Sequence, residues 1–140
     1  MNWRLIVYLS LLSILLAIGS IAGLVKSQEW LGWLVIGILS GWYIAGRVDE
    51  NFFLYGLILG ILDGILNSSL KALFFESYSS SNPRIMDAFD GLPQDLSPRM
   101  VMLIMGPLVG ALLGVAFGII TAAASMLRKR MAARRMNTPE

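Results

Sequence analysis

The chain reads as an all-α integral membrane bundle of four transmembrane helices, and three observations lead there. Of its 140 residues 56% are hydrophobic and 14% charged, with a mean hydropathy of +0.71. A soluble domain this small has too little interior to hide that much apolar surface, so lipid must cover it. The apolar residues fall into four runs separated by short polar breaks, and three of those runs carry glycine or alanine at every fourth position. That spacing lets helix backbones meet at close range in lipid. One membrane domain over 1–140 is expected, because several spans of about 20 residues leave no room for a separate soluble module.

The first span is expected over 5–25, interrupted only by hydroxyls and glycines that a helix in lipid tolerates. A signal peptide is the alternative, with Arg4 as its basic start and Ser20 to Ala22 as a small-residue cleavage site, but the apolar run is longer than a signal core. After a polar break from Lys26 to Glu29, a second span over 30–46 is bracketed by Trp30, Trp33, Trp42 and Tyr43, residues suited to the membrane interfaces. The turn from Arg47 to Asn51 is charged and tight, so the second and third spans are expected to form an antiparallel hairpin. The third span covers 52–75. The composition then changes to Ser, Asn, Pro and Asp, making 76–98 the one sizeable loop, within which Ile85, Met86, Ala88, Phe89 and Leu92 suggest a short amphipathic surface helix. The fourth span covers 100–127, with a bend expected at Pro107, and a basic tail continues it over 128–140.

With four spans both termini share a side. That side carries Arg4, Arg47 and the cluster Arg128, Lys129, Arg130, Arg134 and Arg135, against Lys26, Arg84 and Arg99 opposite. The preference for basic residues on the cytoplasmic side then puts both termini in the cytoplasm and the acidic loop 76–98 outside. The same basic cluster is the expected contact for anionic lipid headgroups. Nucleic acid is a poor partner, since no aromatic residue interleaves the cluster.

The glycine stripes are Gly37 and Gly41 in the second span, Gly56, Gly60 and Gly64 in the third, and Gly106, Gly110, Gly114 and Gly118 in the fourth. They predict glycine-zipper packing. Either all of them pack the chain against itself, or one stripe, that of the fourth span above all, is left for another copy or a subunit of a membrane complex.

Asp63 lies near the middle of the third span, where an ionised carboxylate costs about 2.5 to 3.5 kcal/mol on insertion scales. Asn67 and Ser68 follow one turn later and Lys71 two turns later, a polar track toward the outer face. These residues are the candidate ion or proton site. The competing reading makes Asp63 a protonated hydrogen-bond donor that clamps two helices. Lys71 also sits where it can snorkel to the outer surface, and Arg47, Asp49 and Glu50 read as helix caps and interface anchors.

Histidine and cysteine are both absent, which removes disulfides, thiol and histidine catalysis and the common zinc sites. No catalytic residue, metal or cofactor is expected; only Asp87, Asp90 and Asp95 of the loop offer an enzyme any acid. Two functions remain. The first is a non-enzymatic assembly or accessory protein packing through its glycine stripes, as a homo-oligomer or a subunit. The second is a small transporter or ion- or proton-conducting oligomer that uses Asp63.

Overall fold

The structure, a computed structural model, describes residues 1–25, 28–91, 93 and 95–136. Lys26, Leu92 and the tail beyond residue 136, which entered the charge and loop readings above, lie outside the described residues. The architecture is all-helical: α1 (Trp3–Ile21), α2 (Glu29–Ile44), α3 (Phe52–Leu73), α4 (Phe75–Ser81), α5 (Arg84–Asp87) and α6 (Pro98–Met136). Of the described helices, α1, α3 and α6 are long and apolar enough to cross a membrane. Their outward faces carry large exposed side chains such as Leu15, Leu112 and Ile119, which is compatible with a small membrane protein.

Four such helices were expected, and α2 is the shortfall. Its 16 residues make a rod of about 24 Å, less than the roughly 30 Å of a hydrocarbon core. The first helix also stops earlier than position 25. Gly23 takes a left-handed φ of 72°, and the Leu24 amide returns to the Gly19 carbonyl at 2.9 Å, an αL termination that glycine permits without strain. Within 76–98, read above as a loop, α4 is helical. Its serines bond back to carbonyls three residues earlier, Ser79 to Glu76 at 3.2 Å and Ser80 to Ser77 at 3.0 Å, and the buried Tyr78 ties the helix to the bundle. The surface helix is reduced to the single turn of α5, beyond which Phe89 packs edge-on to Phe75 at 6.3 Å. The last helix begins at Pro98 and runs through Pro107 without interruption to Met136, so the basic tail is helical as far as it is described.

The four long apolar elements lie side by side and alternate in direction. The Asn2 amide donates to the Tyr55 hydroxyl at 2.6 Å, placing the starts of α1 and α3 together. Gly46, just after α2, lies against Arg128 of α6, so the chain's N-terminus, the α2–α3 turn and Arg128 share one end of the bundle. The charged turn joins α2 and α3 as an antiparallel pair, as expected, but the two touch only lightly: α2 packs mainly on α6 and less on α1, while α3 packs on α6 and α1. The cause is complementary surface. A Cβ built on Gly60 would fall on the Gly114 backbone, one on Gly64 on the Gly110 backbone, and one on Gly56 at 2.5 Å from Gly118 N. The α3 and α6 backbones therefore touch directly. Gly37 and Gly41 of α2 face Phe117, Ile120 and Thr121 of α6, which makes α6 the common partner. An apolar cluster of Leu5, Ile6, Ile44, Tyr55, Leu59 and Phe117 fills the interior toward the end that holds the N-terminus.

Candidate functional site in the bundle interior

Above that apolar plug the interior turns polar. α1 presents a buried face of Ile6, Ser10, Ser13, Ala17 and Ser20, a 4-3-4-3 spacing that keeps small side chains on one side of the helix. The small residues let α3 come close, and α3 answers with Leu59, Asp63 and Asn67, each buried. Asp63 is wholly enclosed, as is Ser13.

The hydrogen bonding is incomplete in a specific way. The Ser13 hydroxyl lies beside the Asp63 carboxyl, but its hydrogen goes to the Ser10 carbonyl at 2.7 Å. Ser10 in turn donates to the Val7 carbonyl at 2.9 Å. Both carboxyl oxygens of Asp63 and the amide nitrogen of Asn67 are buried without a hydrogen-bond partner among the described residues. A buried polar atom in that condition ordinarily costs about 1–3 kcal/mol, more for a charge, so one carboxyl with one orphan amide a turn away is a costly arrangement for packing alone. Ser68 has a different neighbour, the α6 backbone at Gly106; it belongs to the contact between α3 and α6.

Lys71 is also not a partner of Asp63. Its ammonium meets both carboxyl oxygens of Glu29 at 2.5 and 2.7 Å, with side-chain exposures of 11% and 20% for the two residues. Ser20 of α1 donates to the same carboxylate at 3.0 Å, the Tyr78 ring lies 5.0 Å from the ammonium, and the Asn82 amide closes the cluster on the Ser20 carbonyl at 3.0 Å. Lys71 was expected to snorkel outward, yet an acid at the start of α2 draws it inward. The result is an ionic clamp joining α1, α2, α3 and α4 across the end of the bundle opposite the N-terminus.

Sequence reading found Asp63 and Asn67 but missed Ser10, Ser13 and Glu29. The serines had a signal in their alternating three- and four-residue spacing with Ala17 and Ser20. Glu29 had a weaker one: a single acid heading an apolar run, matched by a single base ending the next. On the opposite end, Asn2, Arg47, Asp49, Glu50, Asn51 and Tyr55 line a polar recess of about 560 Å³, separated from Asp63 by Leu59 and Ile6, both fully buried.

No protein-family model matches the chain, and comparison with curated proteins and with solved structures finds no match. The chemistry is therefore argued from these residues alone. A carboxyl group sealed among hydroxyls and an amide can gain or lose a proton, and in its protonated form it turns from a pure acceptor into a donor. The Ser13 hydroxyl can rotate its hydrogen toward or away from it without moving a heavy atom.

Proposed function

We propose that the chain is a small multi-pass membrane protein whose working centre is the carboxyl of Asp63, a site that binds and releases a proton inside the bilayer. The observation that carries this reading is that both Asp63 oxygens are buried without a hydrogen-bond partner among the described residues, as is the amide nitrogen of Asn67 one turn further along α3. An intramembrane ionisable residue held at that cost is a functional candidate by default. Ser10 and Ser13 are its positioning residues. The Glu29–Lys71 clamp closes the track toward the outer end, and the Leu59 and Ile6 plug closes it toward the other, so proton exchange needs one of the two closures to open.

Glycine-zipper packing of α3 on α6 supplies the rigid frame for this centre. The other expectation, assembly with a partner through the glycine stripes, is less well supported. Every one of the stripe glycines has another helix of the same chain against it, so a partner would have to bind aliphatic surface. The topology proposed with this function puts both termini and the basic end of α6 in the cytoplasm and α4 and α5 outside, by the distribution of Arg and Lys.

The test uses the purified full chain reconstituted in sealed vesicles that contain a pH-sensitive dye. An imposed pH gradient should collapse faster with the wild-type chain than with empty vesicles, and Asp63→Asn should return the rate to the empty-vesicle level while keeping the same helical content. Equal proton flux through the variant and the wild type would sink the reading.

A further inference from the structure

The end of the bundle near the N-terminus holds a groove of about 760 Å³ between the close of α2, the α2–α3 turn and the basic part of α6. Its construction is specific. The Arg128 guanidinium lies 4.9 Å from the Trp42 ring, and it fits there because residue 46 is glycine: a Cβ at that position would fall on the guanidinium itself. Lys129 stands 5.5 Å from the Phe52 ring, and Arg135, two turns beyond Arg128 on the same face of α6, lines the groove as well. Arg130 is not among the lining residues. The basic cluster is thus divided between a face that builds the groove and a face that does not.

Three cations face one acid, Asp49, which leaves an excess of positive charge. Among the described residues Arg128, Lys129 and Arg135 have no ion-pair partner, and the Arg128 Nε is buried with its hydrogen unused. The apolar part of the lining includes Trp42, Val48 and Met131. Cations and apolar side chains lining one groove, at the level where the apolar part of α6 gives way to its basic part, match an amphiphile with an anionic head.

We infer that this groove is a seat for one anionic phospholipid, its phosphate held by Arg128, Lys129 and Arg135 and its acyl chains lying down the outer faces of α2 and α6. The guanidinium sits over the Trp42 ring and against Gly46, which limits its freedom, and its N–H groups suit a phosphate, an anion that Arg can grip with two hydrogen bonds. This site is independent of Asp63.

Native mass spectrometry of the full chain, titrated with phosphatidylglycerol and separately with phosphatidylcholine, tests it. One phosphatidylglycerol should bind with at least about tenfold preference over phosphatidylcholine. Arg128→Gln should lose most of that preference, and Gly46→Val should lose it too, although it changes no charge, because the new side chain occupies the guanidinium's place. Arg130→Gln should keep it. Equal loss in Arg130→Gln and Arg128→Gln, or full retention in Gly46→Val, would reduce the effect to diffuse charge and overturn the seat. Displacement of the lipid by millimolar glycerol phosphate would also overturn it, in favour of a site for soluble phosphates.

Discussion

At the scale of single residues, the interior is governed by where hydrogen-bond donors run out. Ser13 donates to the Ser10 carbonyl and neither Asp63 oxygen has a hydrogen-bond partner among the described residues, while Glu29 takes three hydrogen bonds from Lys71 and Ser20. The contrast separates a group held ready for a proton from a group held for structure. If Glu29 and Lys71 are a clamp, Glu29→Gln or Lys71→Met alone should cost about 1–3 kcal/mol, the range for hydrogen bonds to charged groups, since the pair is only partly shielded. The double variant should recover part of that loss, because it leaves no unpaired charge; unfolding in a detergent titration reads the cycle, and strictly additive losses would remove the clamp. Tyr78 reports on the same cluster. Burial, and then the nearby Glu29 charge, raise its phenol above the ordinary value of 10, with the neighbouring Ser20 hydroxyl acting the other way. The folded chain therefore keeps a proton that the unfolded chain has lost, so stability is undiminished below pH 10 and falls as pH climbs toward the raised value. Tyr78→Phe should flatten that alkaline fall in a stability profile.

At the scale of elements, the α3–α6 contact is the most demanding in the molecule because backbone meets backbone. Gly60→Val places a side chain on the main chain of Gly114, which cannot turn aside; overpacking costs of about 1–3 kcal/mol are the minimum expected. Gly32→Ala is the control, since its new methyl meets only the end of the Leu16 side chain, and a change of rotamer relieves it. Thermal unfolding should show a clear drop for the first and little change for the second; similar drops would mean that the close approach is not what holds α3 to α6. The same contact explains why α2, although joined to α3 by a tight turn, packs on α6. Its own glycines, Gly37 and Gly41, have their matching surface at Phe117, Ile120 and Thr121. Pro107 lies within α6, and the helix carries on through it.

At the scale of the whole molecule, alternate helix directions place residue 49 and residue 80 at opposite ends of the bundle. The chain has no cysteine, so single cysteines can be introduced without background. Asp49→Cys should react with a membrane-impermeant thiol reagent only from the cytoplasmic side and Ser80→Cys only from the outside of intact cells. Labelling of both from one side would refute the proposed topology. The bundle has two halves with different physics, an apolar plug near the N-terminal end and a polar half above it. The only ionisable group wholly enclosed among the described residues, Asp63, sits at their boundary.

The amino-acid sequence alone determined the all-helical character, the positions of the long apolar elements, the glycine stripes and the suspicion attached to Asp63. These are local or periodic properties: composition sets the solvent, and a repeat of four sets a helix face. Tertiary structure decided who meets whom. Lys71 belongs to Glu29 rather than to the Asp63 track, α2 leans on α6 rather than on α3, and the basic residues of α6 divide into groove-lining and outward faces. Each depends on the relative rotation and axial level of two helices, and periodicity along one helix carries no information about either. Asp63 could be singled out from its cost in lipid, but its isolation could not be read, because it rests on which side chains of the neighbouring helices lie at its level.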